Sequence, residues 1–256
     1  ALKNVLGTDY GFSKLPGLEK NALYLIHTTG ATETIANNGD ASPSTVNPAV
    51  IHWMANTYNN PLYKWHATTN EITGETIPAI FWLDGVSPKN PDSYGLPLDG
   101  YIRGEENVSM RSIFEALGVR WAVDLGTDSY SLPKYSDRNV AGTRWNYYVK
   151  RAEGHNTYVI DPESGYDQNV NGISYVVDLK SEKRGAYAVY DMTSAYDAYA
   201  KKMLRGMMMY DNRTKVVIQD QIEILKPSKF YWFMHTTADV EIAGDGKSAI
   251  LKNAGK

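Results

Sequence analysis

Residues 173–224 read ISYVVDLKSEKRGAYAVYDMTSAYDAYAKKMLRGMMMYDNRTKVVIQDQIEI, and the fold is decided here. Within this stretch Ile173 to Leu179, Ala186 to Tyr190, Met207 to Tyr210 and Val216 to Ile224 are short apolar and aromatic runs separated by turn clusters, with no long helical segment between them. β-Branched and aromatic residues suit a pleated, half-buried surface, so the spacing predicts consecutive antiparallel strands. The same pattern extends outward. Upstream it takes in Val119 to Asp124, Asn146 to Lys150 and Thr157 to Ile160; downstream it takes in Phe230 to His235, Val240 to Ile242 and Ala249 to Leu251. The expectation is a mainly β domain over residues 76–256, with antiparallel sheets stacked as a β-sandwich. The last predicted strand lies close to Lys256 with no closing turn, which predicts that the native chain continues.

Helical signals are confined to the first sixty or so residues. From Ser44 as N-cap, Val50, Trp53, Met54 and Tyr58 recur at helical spacing, with Pro48 tolerated in the first turn. Asn59, Asn60 and Pro61 stop that helix, and Ala1 to Leu6 reads as the tail of another ended by Gly7. Leu18 to Ile26 fits both helical spacing and strand alternation. Pro78, Pro88, Pro91 and Pro97 mark a loop-rich connector.

With 256 residues, 43% of them hydrophobic, the chain can bury a sizeable core. A formal charge of -3 lacks the basic excess on which nucleic-acid binders rely. An acidic glycan stays compatible, because a local Arg, Lys and Tyr groove can hold one. No run approaches the length of a membrane-spanning helix. Zero cysteines exclude thiolate ligands, so any metal must be held by His, carboxylate or carbonyl groups. Nineteen tyrosines and six tryptophans suit stacking on sugar rings, although aromatic packing between strands explains them equally well.

Two of the five histidines are well placed. His155 lies in a polar break before a strand, and His235 closes the aromatic run Phe230-Tyr231-Trp232-Phe233-Met234. A strand-end imidazole can offer one ring nitrogen to a metal or proton while an acceptor fixes the other; a structural histidine is the plainer alternative for each. Asp124 ends an apolar strand, so its carboxylate needs a cation, a metal or several N–H donors, or else serves as a cap before Gly126. Asp191, in an Asp-x-Thr context, reads as a metal-ligand candidate or a local turn. Phosphate loops, nucleophile elbows and His-Glu-x-x-His helices are absent from the sequence, and no pair of carboxylates stands out for glycoside hydrolysis.

Taken together, several segments resemble the heparinase II/III-like family of polysaccharide lyases. They are Leu6-Gly7-Thr8-Asp9-Tyr10-Gly11, Glu115-Ala116-Leu117-Gly118-Val119-Arg120-Trp121-Ala122-Val123-Asp124-Leu125-Gly126, Arg144-Trp145-Asn146-Tyr147-Tyr148, Gly154-His155-Asn156-Thr157, Asp191-Met192-Thr193-Ser194-Ala195-Tyr196 and Tyr231-Trp232-Phe233-Met234-His235-Thr236. The resemblance implies the end of an α/α-toroid and a linker over residues 1–75, leading into the sandwich. It implies β-elimination on uronate-containing polysaccharide and a secreted or periplasmic, bacterial setting. A zinc or other divalent ion would take Asp124 and His155 as ligands, with His235 or Asp191 as the third. Asn38, in a turn matching one that lines the family's cleft, joins Arg144, Tyr148 and Gln168 as candidates for the sugar-facing wall.

The chain departs from the family in two ways that bear on catalysis. The family's catalytic tyrosine lies in the toroid preceding the segment that opens here at Ala1-Leu2-Lys3. Its His-x-Asp-x-Gly-Ser-Phe segment has no counterpart between Arg103 and Phe114, where Arg111-Ser112 resembles the strand before that loop and Phe114-Glu115 the strand after it. The catalytic residues are therefore unassigned, a stretch is expected to be lost there, and these 256 residues by themselves are expected to lack the full catalytic machinery and to show little or no elimination. The alternative to a lyase part is a non-catalytic glycan-binding or structural sandwich module, and a hydrolase would be told apart by saturated products.

Overall fold

A computed structural model of the protein describes residues 2–30, 32, 34–35, 47–69, 85–89, 101–104, 112–162, 167–253 and 255. The chain forms two compact units, with the helices in the first and the strands in the second. In the first unit, α1 (Leu2–Leu6) ends where Gly7 turns to a φ of 70° and its N–H reaches the Lys3 carbonyl, as a C-terminal glycine cap does. The ambiguous stretch after it becomes a 3₁₀ turn, Leu18–Lys20, and α2 (Asn21–Thr28).

The next helix, α3 (Pro48–Thr57), takes Asn47 as its N-cap, the side chain accepting from the Ala49 N–H at 2.9 Å. Asn47 replaces the expected Ser44, which lies outside the described residues. Pro61 opens a further helix, α4 (Pro61–Thr69), rather than merely closing α3, because Asn60 Oδ1 accepts from the Leu62 and Tyr63 N–H groups. Ala22, Ile51, Met54, Ala55, Tyr63 and Ala67 form the core of this unit.

The second unit is built of antiparallel sheets. β1 (Tyr101–Gly104), β2 (Ser112–Ala116) and β3 (Val119–Ala122) make a three-stranded sheet in that order. Leu117 and Gly118, at φ 57° and 70°, form the tight turn between β2 and β3. The buried Glu115–Arg120 ion pair crosses the two strands beside that turn.

β4 (Tyr158–Ile160) is followed by a meander of β5 (Tyr175–Glu182), β6 (Gly185–Asp191), β7 (Ala200–Tyr210) and β8 (Lys215–Ile224). β9 (Phe230–Trp232) pairs with β4, and β10 (Asp239–Ile242) pairs with β11 (Ala249–Lys252). Alternation along β7 turns Met203, Arg205, Met207 and Met209 inward. Met203 and Met207 join a core with Ile160, Ala188, Tyr190, Met192, Ala195, Tyr196 and Ala200. One expected strand is corrected: Asn146 to Lys150 lies in successive 3₁₀ turns, Thr143–Asn146 and Tyr148–Lys150. Its two aromatic residues part company, Tyr148 meeting His235 and Tyr147 meeting the 128–135 loop, and neither lies in a strand. Tyr147, for example, stacks 5.4 Å from Tyr135 and donates its hydroxyl to the Pro133 carbonyl.

Candidate active site

Asp124 follows β3, and its carboxylate is held from two sides. Oδ1 accepts from the Gly126 N–H at 2.9 Å, while Oδ2 lies 2.7 Å from His155 Nδ1. Both residues are buried, at 7% and 3% exposure, so the pair satisfies two groups that would be costly to bury apart. His155 reaches Asp124 from the end of a 3₁₀ turn, Ala152–Gly154, just before β4. That turn is fastened by Asp167, which accepts from the Ala152 N–H and pairs with Arg151 at 2.6 Å. At Gly154 any Cβ would stand 2.2 Å from the Tyr148 carbonyl oxygen, so only glycine lets the Tyr148 backbone lie this close to the His155 segment.

Asn156 ties the two strand ends together. Its Nδ2 donates to the Val123 carbonyl at 2.9 Å, and its Oδ1 accepts from the His235 N–H at 2.7 Å. Val123 and His235 are also joined directly, N–H to carbonyl, at 2.9 Å. The Asn156 carbonyl in turn accepts from Arg205, whose guanidinium is fully buried and paired with Asp220 at 2.8 Å. Thr157 continues the pattern, with its hydroxyl 3.2 Å from the Tyr196 hydroxyl.

Next to the Asp124–His155 pair stands a second one. The Tyr148 hydroxyl is 2.9 Å from His235 Nε2, with the rings edge-on at 5.8 Å. Burial pushes the His235 pKa down, and His155 pushes it further, against a weaker opposing pull from Asp124. Burial, with the nearby Glu153, pushes Tyr148 up. A neutral imidazole thus faces a protonated phenol, an arrangement able to hold and pass one proton. Nδ1 of His235 is shielded from solvent and has no hydrogen-bond partner among the described residues.

The remaining candidates are distributed differently. Gln168 donates to the Tyr196 hydroxyl at 2.6 Å, and that hydroxyl donates to the Tyr158 carbonyl, so Gln168 is anchored by a tyrosine that sequence reasoning did not single out. Arg144 lies over the rings of Tyr135 and Trp145. Asp191 caps the Thr193–Ala195 turn through the Thr193 N–H, as its Asp-x-Thr context allowed. Asn38 lies outside the described residues. Among the described residues no three His, Cys, Asp or Glu side chains form a group able to hold a metal. Asp124 and His155 carry an oxygen and an imidazole nitrogen, donor types that zinc accepts, and here they bond to each other at 2.7 Å. None of the described helices is long and apolar enough to cross a membrane.

The family described as heparinase II/III-like, C-terminal, matches residues 113–256, more than half of the chain and all the residues of both pairs. No curated protein matches the chain.

Proposed function

The chain belongs to the heparinase II/III-like family, and from that premise we propose that it is the β-rich part of a lyase that cuts uronate-containing polysaccharide by β-elimination. The observation that carries the reading is the Tyr148–His235 proton pair beside the buried Asp124–His155 pair. In β-elimination the C5–H bond of a uronate breaks and its electrons form a C4–C5 double bond. The C4–O bond then breaks, with the departing oxygen taking up a proton and no water consumed. A Tyr–His pair suits this proton traffic, because the phenol can donate to the departing oxygen and the imidazole can accept. Asp124 and His155 are the residues that would hold a divalent ion, which when bound would supply positive charge against the uronate carboxylate.

The same reading stacks the sheets as a sandwich over residues 76–256, makes residues 1–75 the end of an α/α-toroid with its linker, and puts the protein outside the cytoplasm, where such polysaccharides occur. Product mass tests the reaction. Elimination gives fragments that together weigh as much as the substrate and carry one unsaturated end. Fragments heavier by one water would mark a hydrolase, and glycan binding without cleavage would mark a binding module.

A further inference from the structure

Among the described residues of the second unit, the guanidinium groups of the packed arginines are matched to oxygen acceptors with one exception. Arg120 pairs with Glu115, Arg151 with Asp167, and Arg205 with Asp220. Arg213 donates to the Glu182 and Lys183 carbonyls at 2.6 and 3.1 Å. Arg144 departs from this pattern. Its Nε is shielded from solvent without a hydrogen-bond partner, and no carboxylate among the described residues pairs with it. Aromatic faces hold it instead, 5.8 Å from the Tyr135 ring centre and 5.1 Å from that of Trp145.

Ring faces attract a cation but give its N–H groups no oxygen to meet. Lys150 lies 4.9 Å from the centre of the same Tyr135 ring, so two positive charges share one ring. Tyr135 itself is fixed, almost wholly buried, with its hydroxyl accepting from the Asp128 N–H and 2.6 Å from the Thr127 hydroxyl. This anchor sits just beyond Asp124, and Arg144 lies on the turn before Tyr148. The cation is therefore built onto the two segments that carry the proposed site.

We infer that Arg144 is an oxyanion receptor, receiving a carboxylate or sulfate group of the glycan in the two-pronged manner of a guanidinium. The inference rests on the polysaccharide reading above, and it adds what that reading leaves open: which group of the chain selects charged over neutral sugar. The aromatic faces hold the side chain ready without neutralising it, so the charge is kept for the ligand.

Calorimetric titration of an unsulfated alginate-type hexauronate, its methyl ester and a sulfated heparan-type hexasaccharide tests the receptor. Wild-type protein is expected to bind the hexauronate about tenfold or more tightly than Arg144→Gln does, and to bind the uncharged methyl ester as weakly as that variant binds the acid. Arg144→Lys keeps the charge without the fork and should recover only part of the loss; it also serves if the glutamine variant does not fold. Loss confined to the sulfated ligand would identify sulfate as the group received, whereas loss with the hexauronate identifies the carboxylate. Equal binding by wild type and both variants overturns the proposal, as does a wild type that binds neither acidic ligand. The Arg144 comparison is decisive whether or not the glycan is cut, whereas saturated products from any cleavage would contradict the lyase reading and leave the receptor standing.

Discussion

Gly154 stands where a Cβ would lie 2.2 Å from the Tyr148 carbonyl oxygen, and the next residue is His155. Gly154→Ala must push the Tyr148 turn away from β4, opening the Tyr148–His235 contact. It is expected to cost about 1–3 kcal/mol of stability, the usual range for overpacking, measurable by denaturant unfolding. A loss under half that, with the tyrosine–histidine contact intact, would show the turn to be more yielding than the geometry implies. In Gly154-His155-Asn156-Thr157 the glycine permits close approach, the histidine meets Asp124, the asparagine joins two strand ends and the threonine meets Tyr196. A motif in which each residue has its own function is legible in a sequence because no other residue type can take its place. Tyr196 was harder to read: it closes a segment that resembles the family, but its hydroxyl partners come from segments distant in the chain.

At the level of the element, β7 shows why some of the fold was legible and some was not. Its second half, Met207 to Tyr210, was expected as a strand, whereas the strand begins at Ala200. Lys201, Lys202 and Arg205 interrupt the apolar pattern, and nothing local reveals that Arg205 points inward to meet Asp220 on β8. The Asn146 to Lys150 run failed in the opposite direction: its residues have strand propensity, but loop packing decided their shape. The Arg205–Asp220 pair gives a test at this scale. Arg205→Met alone strands a buried carboxylate and is expected to cost about 3–5 kcal/mol, while Arg205→Met with Asp220→Leu costs clearly less. Equal costs for the single and double variants in a double-mutant cycle would show that the pair is not coupled.

At the scale of the whole molecule, each unit has its own apolar cluster, so the two need not unfold together. His66 on α4 makes the helical unit sensitive to acid. Burial lowers its pKa to about 4 from the ordinary 6.5. The unfolded chain therefore takes up the proton first as pH falls, and the stability tied to neutral His66 is complete above about pH 6.5 and lost between there and about pH 4. The full effect is about 3 kcal/mol. Helical ellipticity should melt earlier at pH 4.5 than at pH 7, and His66→Gln should flatten that dependence; an unchanged slope in the variant would place the acid sensitivity elsewhere.

The antiparallel β character of the second unit was legible from alternation and turn residues, because each strand declares itself locally. How the site residues meet depended on hydrogen bonds such as Asn156 to Val123 and His235, which no local pattern encodes.

The most direct test of the account is to incubate the protein with alginate-, chondroitin- and heparan-type glycans, recording the ultraviolet absorbance of unsaturated uronate while counting new reducing ends. The account predicts that every bond cut gives absorbance in step with the reducing ends, one unsaturated unit for each, with little or none from these residues alone and more from a longer chain that carries the preceding toroid. Reducing ends without absorbance would contradict it in favour of hydrolysis, and silence from the longer chain as well would contradict it in favour of a non-catalytic module.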